Sequence, residues 1–295
     1  MFSKLKTIFA ADEKDSTSTS TRSSPVNIER RFQVISMTSQ GSMSRVCKAL
    51  DRKTGRTVCL KVQDVQKQAE AAARAVRHGR MSEGEILERI KHPNVVRHYE
   101  HGITTRKEHF LAMEFVSGVS LKFQQETGAF DARGKLEALL QAAEGLAAVH
   151  AAGFIHHDFG PRNVLFNTEG QVKLIDFGLA VPNTPEFRRP GNRTGSLDYM
   201  APELVRREPI DVRIDIFSFG AMAFELMTNR LPYEASTSLA ILLKRMNHDP
   251  LDPLAVKPKM PPRLADFLRK SIARNRDQRY KSMAEVIAEL RGILG

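Results

Sequence analysis

The chain has 295 residues, 41% hydrophobic and 27% charged, with a formal net charge of +11. That is enough chain for one large domain or two lobes around a sizeable core, with the composition of a soluble globular protein. No apolar run approaches the ~18 residues of a membrane-spanning helix, so no membrane span is expected. The two cysteines, Cys47 and Cys59, make no disulfide framework. The basic residues are scattered in short pairs such as Arg188-Arg189 and Arg206-Arg207, and there is no Trp. This excludes a recognisable nucleic-acid module and leaves a generally basic surface.

The first ten residues, M-F-S-K-L-K-T-I-F-A, are too short for a signal-peptide core and have acidic residues right behind them. They read as a frayed terminus or a small amphipathic surface anchor, and a cytoplasmic location is the default. Residues 11–25, A-D-E-K-D-S-T-S-T-S-T-R-S-S-P, are polar and low in complexity. Such a stretch buries too little apolar surface to offset its ordering entropy, so residues 1–28 are expected to be a disordered tail. Folded sequence begins near Ile28 or Arg31.

Strand-like runs follow: F-Q-V-I-S-M, S-R-V-C-K-A-L and T-V-C-L-K-V, the last two joined by the turn D-R-K-T-G-R. Residues 67–91 are expected to be helical, stopped by His92-Pro93. N-V-V-R-H-Y and H-F-L-A-M-E-F-V supply two more strands. The expectation is therefore a five-stranded sheet with one main helix over residues 29–115. From 116 to 295 the pattern turns helical. Apolar residues at 136, 139, 140, 143, 146 and 147 share one helix face, with Gly153 just past the end. Short strands G-F-I-H, V-L-F-N and V-K-L-I come next. Helices are expected at D-I-F-S-F-G-A-M-A-F-E-L-M, R-L-A-D-F-L-R-K-S-I-A and S-M-A-E-V-I-A-E-L-R-G-I-L. The fold class is α+β, with two lobes.

The motifs that carry chemistry lie between residues 39 and 203. They are S-Q-G-S-M-S-R-V, V-C-L-K, M-E-F-V, H-H-D-F-G-P-R-N, D-F-G at 176–178, and T-G-S-L-D-Y-M-A-P-E, with D-I-F-S-F-G and D-Q-R-Y downstream. In this order and spacing the chain resembles the eukaryotic-type protein kinases, most closely the bacterial-type serine/threonine kinases, over about residues 31–292. The resemblance implies a bilobal kinase fold, with a five-stranded antiparallel sheet in the first lobe and a mainly helical second lobe. It also implies ATP and magnesium as cofactors and a protein as substrate.

Residue by residue, the resemblance makes Lys61 the phosphate-pairing lysine and Glu83 its carboxylate partner, with Glu85 as runner-up. Asp158 is the catalytic-loop base, and Asn163 and Asp176 hold the metal. The D-F-G at 158–160 is then a coincidence of letters. Ser39, Gly41, Ser44 and Val46 belong to the glycine-rich loop, where serines stand for two of the three glycines. Cys59, Met113, Glu114, Val116 and Leu165 surround the adenine. Ser196 takes a position near Asp158, Glu203 pairs with Arg279, and Asp215 anchors the catalytic loop.

Two departures stand out. His157 replaces the arginine that in many kinases binds an activation-segment phosphate, so that phosphate is not expected to be needed. Gly160 replaces the lysine that touches the γ-phosphate in serine/threonine kinases, and Arg162 is expected to compensate, as a similarly placed Arg does in tyrosine kinases. Strand alternation puts Cys59 on the nucleotide side and Cys47 on the other, so no disulfide joins them. Cys59 is either a free thiol in the adenine roof or simply a small buried hydrophobe. The Ser/Thr run at 16–24 is a candidate autophosphorylation target. A catalytically dead nucleotide-binding scaffold and a small-molecule phosphotransferase stay open as alternatives, although the latter class lacks the A-P-E segment.

Overall fold

The computed structural model describes residues 24–40, 44–63, 81–128, 130–191, 194–233, 238, 240, 242–243 and 248–295. The first lobe is a five-stranded antiparallel sheet, in spatial order β1-β2-β3-β5-β4. Its strands are β1 (Phe32–Gln40), β2 (Ser44–Asp51), β3 (Arg56–Gln63), β4 (His98–Ile103) and β5 (His109–Glu114). The D-R-K-T-G-R turn closes the β2–β3 hairpin, with Gly55 at φ 69°, where a side chain would be strained. Alternation along the strands sorts the faces. Cys47, Ala49, Val58, Leu60 and Val62 pack with Phe32, Phe110 and Ala112 in a small cluster on the outer face. Cys59, Leu111 and Met113 join the main core from the other face.

The described structure includes residues slightly before the expected start of the fold. Val26 forms a bridge to Thr104, donating its N–H to Ile103 O (2.9 Å). The short helix α1 (Ile28–Arg31) follows, capped by Asn27.

The helix expected over 67–91 is corrected at its described end, residues 81–91. Residues 64–80 lie outside the described residues. From residue 81 on, only α2 (Glu83–Arg89) is helical, and Ser82 is extended. The cause is a capping box. Ser82 Oγ accepts from Glu85 N–H, and the Glu85 carboxylate accepts from Ser82 N–H at 2.6 Å. Gly84 lets α2 lie against β4, because a Cβ there would sit 2.4 Å from His101 Cβ.

N-V-V-R-H-Y is also shorter as a strand than expected, since β4 begins only at His98. Asn94–Val96 instead reaches across to the second lobe. Leu174 N–H donates to Asn94 O, Val96 N–H donates to Leu174 O, and Asn94 Nδ2 donates to Val172 O. The run therefore fastens one lobe to the other.

The second lobe holds α3 (Leu121–Thr127), α4 (Ala132–Ala151), α5 (Pro202–Val205), α6 (Arg213–Thr228), α7 (Pro253–Val256), α8 (Pro262–Ser271) and α9 (Met283–Leu294). Asp131 caps α4, and Gly153 follows its end at φ 85°. Helix α6 is buried on every side from Ile214 to Met227, as befits a run with no polar stripe. Two small sheets line the seam: β6 (Gly118–Ser120), β8 (Val164–Asn167) and β9 (Val172–Leu174), and β7 (Phe154–Ile155) with β10 (Val181–Pro182). No helix among the described residues is long and apolar enough to cross a membrane.

Candidate active site

The upper wall of the cleft is β3. Its register with β2 places Val46 opposite Lys61 and Lys48 opposite Cys59. Ser39 pairs with Val46 and Ser44 with Gln63, while Gly41 lies outside the described residues. Lys61 Nζ lies 2.8 Å from Glu83 Oε2 and 3.1 Å from Asp176 Oδ1. Burial alone would lower the lysine's pKa, but Glu83 and Asp176 outweigh it and raise it, so Lys61 stays charged. Glu83 also accepts the Phe177 N–H on its other oxygen (3.3 Å). One carboxylate thus links β3, α2 and the D-F-G segment. Glu85 is occupied by its cap and has no part in this.

Cys47 and Cys59 are both free thiols on opposite faces. Burial pushes the Cys59 thiol up to about 11. At pH 8 its thiolate fraction is then ~200-fold below that of an ordinary thiol near 8.5. Iodoacetamide should alkylate Cys59 on the order of a hundredfold more slowly than free cysteine, as followed by peptide mass mapping. A rate within threefold of free cysteine would contradict this.

The lower wall is the loop after β7. Asp215 is fully buried and accepts the backbone N–H groups of His156 (2.7 Å) and His157 (2.9 Å). His150 Nε2 lies 2.8 Å from the same carboxylate. This fixes the loop with His157 at φ 71°. Asp158 Oδ1 accepts from Ser196 N–H (2.8 Å) and Ser196 Oγ (3.0 Å). That approach needs Gly195, at φ 106°, because a Cβ there would sit 2.9 Å from His157 O. Asn163 Nδ2 donates to Asp158 O at 2.8 Å. Ile175 N–H donates to Asn163 O at 2.9 Å, tying the loop to the residue before Asp176.

The other expected site residues fall around this cleft. Met113 is buried, Val116 and Leu165 are half-buried, and Glu114 holds Lys173 (2.9 Å). Arg162 is exposed and touches neither the Lys61 cluster nor Asp158 through any hydrogen bond or ion pair among the described residues. Gly160 faces the ring of Tyr199, whose carbon a Cβ would approach to 3.3 Å. Tyr199 Oη donates to Glu225 (2.5 Å), which also pairs with Lys122 (3.1 Å). Sequence reasoning missed this trio around the buried Glu225, and also His150 behind Asp215. Neither has a local motif, because the partners are brought together only by the fold.

Carboxylates whose charged form is held by hydrogen bonds or by a lysine set the response to acid. In Asp176 burial favours the neutral form, but Lys61 outweighs it and depresses the pKa. In Asp215 burial is likewise outweighed by His150 and the loop N–H groups. A depressed folded-state pKa gives stability that is complete above the unfolded value near 3.9 and is lost as pH falls through the folded one. The urea midpoint should decline modestly as pH falls below about 6.5, where burial holds the His92 and His98 pKa values down, and drop more steeply below about pH 4. A midpoint that held constant to about pH 3 would contradict this.

A charged lysine–carboxylate pair on one wall thus faces an Asp–Asn loop on the other, across a cleft between a sheet lobe and a helical lobe. The sequence profile of the protein kinase domain matches residues 32–289. The chain is 30% identical over 265 residues to the probable serine/threonine-protein kinase pknA2 of Bifidobacterium longum, which covers 89% of this chain and 35% of that protein. It is 30% identical over 268 residues to the serine/threonine-protein kinase PknL of Mycobacterium tuberculosis, covering 90% of this chain and 66% of that one. Against the probable serine/threonine-protein kinase PknB of Bifidobacterium longum it is 28% identical, over 86% of this chain and 38% of that protein. The chain belongs to the protein kinase domain family. It spans between about one third and two thirds of the length of these relatives.

Membership implies use of ATP and a divalent metal. The donor set fits. Asp176 offers a carboxylate that is half exposed to the cleft. Asn163 has its amide nitrogen committed to Asp158 O, which leaves the oxygen for a cation. A hard cation that keeps waters and phosphate oxygens in its shell needs only one or two such protein ligands.

Proposed function

We propose that the chain is an ATP-dependent protein kinase that transfers the γ-phosphoryl group to serine or threonine hydroxyls of proteins in the cytoplasm. The observation that carries this reading is the intact charge constellation Lys61–Glu83–Asp176 facing Asp158 and Asn163. Phosphoryl transfer depends mainly on positioning and neutralisation of charge, which this constellation supplies. Residues 29–115 and 116–295 act as the two lobes of one domain. Lys61 holds the α- and β-phosphates. Val46, Cys59, Met113, Val116 and Leu165 enclose the adenine, with the backbone of Ser39, Gly41, Ser44 and Glu114 completing the nucleotide site. Asn163 and Asp176 hold magnesium, which when bound neutralises the phosphate oxygens. Asp158 orients the acceptor hydroxyl and takes its proton, and Arg162 supplies the positive charge that Gly160 lacks.

The reading includes activity without a phosphate on the activation segment. In place of an Arg–phosphate contact, His157 Nδ1 lies 3.1 Å from Thr194 Oγ1. Acceptors include serines and threonines of the tail at 16–24. The test is transfer of labelled phosphate from ATP and Mg²⁺ to matched peptides with Ser, Thr or Tyr as the single acceptor. Incorporation into the Ser and Thr peptides supports the proposal. Incorporation confined to the Tyr peptide would overturn the assigned class. No incorporation, with ATP still raising the melting temperature, would favour the scaffold reading.

A further inference from the structure

The outer face of the sheet, opposite the nucleotide side, carries a cavity of about 260 Å³. Its floor is Cys47, Leu60 and Val62, and its walls include Val34 and Met37 of β1. Val34, Ile35 and Met37 are each more than half exposed. Three large apolar side chains within four residues of one strand are an unusual amount of apolar surface to leave in water. The rim is closed by two ion pairs, Arg45–Glu108 and Arg106–Glu29 (2.8 and 2.6 Å).

The chain itself indicates what covers this face. Residues 26–29 run along the cavity's edge. Val26 accepts from Thr105 N–H and donates to Ile103, and Asn27, Ile28 and Glu29 line the cavity with Thr104 and Thr105. The chain preceding residue 24 therefore departs from the rim of the cavity. Within it lies F-S-K-L-K-T-I-F at 2–9, with Phe2, Leu5, Ile8 and Phe9 as large apolar residues. The stretch from 10 to 25, sixteen residues, has no large apolar residue. As a coil such a linker spans ~20–24 Å and fully extended about 50 Å, so the segment reaches the cavity from where the chain leaves it. The two lysines, Lys4 and Lys6, suit the rim carboxylates Glu29 and Glu108, the first of which keeps 72% of its side chain exposed.

We propose that residues 2–9 of this chain dock in cis on the outer face of the first-lobe sheet, with their apolar side chains over the cavity between β1, β2 and the β4–β5 turn. The strands covered in this way are the ones whose opposite faces carry Val46, Cys59 and Lys61. Docking then braces the roof of the nucleotide site from outside. The inference does not depend on catalytic activity.

Cys47 in the cavity floor reports on occupancy. A segment tethered by so short a linker meets its site at about millimolar effective concentration. An intrinsic Kd of ~0.1 mM then gives ~10-fold protection. The experiment compares the full-length chain with its Phe2→Ser/Phe9→Ser variant. Modification of Cys47 by a small methanethiosulfonate is timed and mapped by mass spectrometry over a tenfold range of protein concentration. Coincident melting curves confirm that the fold is unchanged. The expected result is Cys47 modification about tenfold faster in the variant, by a ratio independent of concentration. Equal rates would overturn the proposal. Protection of the wild type that grows with protein concentration would also overturn it, because the groove would then belong to a second copy.

Discussion

Asp158→Asn should lower kcat for phosphoryl transfer by about 10²- to 10⁴-fold, the usual contribution of a positioned general base. The KM for ATP should change little. Asp158 Oδ1 is already committed to the N–H and hydroxyl of Ser196, whereas Oδ2 is left with only a 3.5 Å approach from Asn163 Nδ2. That second oxygen is the one available to an acceptor hydroxyl. An amide keeps the carbonyl oxygen that Ser196 needs but cannot take up a proton. Lys61, on the opposite wall of the cleft, and Asp176 make no hydrogen bond or ion pair with Asp158 among the described residues, so nucleotide binding should survive. Steady-state kinetics with a fixed peptide acceptor checks this. A variant that lost ATP affinity and kept kcat would show that Asp158 holds nucleotide instead.

Arg279→Met should destabilise the fold by about 3–5 kcal/mol, the cost of breaking one side of a buried ion pair. Arg279 is 2% exposed and Glu203 3%. The guanidinium meets both Glu203 oxygens at 2.7 and 2.8 Å and donates to the carbonyls of Ala273, Arg213 and Arg274. It also lies 4.8 Å from the centre of the Phe217 ring. Removing it strands the Glu203 carboxylate and takes one donor from each of three carbonyls. Replacing both partners should recover part of the loss, because the uncompensated charge disappears with Glu203. Denaturant titration of the two single variants and the double variant checks both statements. The effect should reach the chemistry, since Glu203 ends the segment that begins with Ser196 against Asp158.

The site was more legible in the sequence than its supports. Lys61, Asp158, Asn163 and Asp176 sit in short motifs whose order is fixed by the chain. Two-residue alternation was enough to place Cys47 and Cys59 on opposite faces. The Glu203–Arg279 pair and the Asp215 anchor came with the family resemblance. What was not legible depends on contacts distant in sequence or on local competition. Helix-forming residues around 67–91 concealed the S-E-G-E capping box, although Ser82 and Glu85 have the spacing of one. Asn94–Val96 read as strand because its residue types suit one, but its partner is β9 in the other lobe. Gly160 read only as a missing lysine. In the fold it faces Tyr199, 39 residues on, which is held by Glu225 and Lys122.

The central claim is that the Lys61–Glu83–Asp176 cluster and the Asp158–Asn163 loop form a working phosphoryl-transfer site. The most direct measurement is incorporation of labelled γ-phosphate, by the wild type and by Asp176→Ala side by side, with phospho-amino-acid analysis of the product. The account predicts phosphoserine and phosphothreonine from the wild type and at least a hundredfold less from the variant. Equal incorporation by the two, or none by a wild type that is folded and binds ATP, would contradict it.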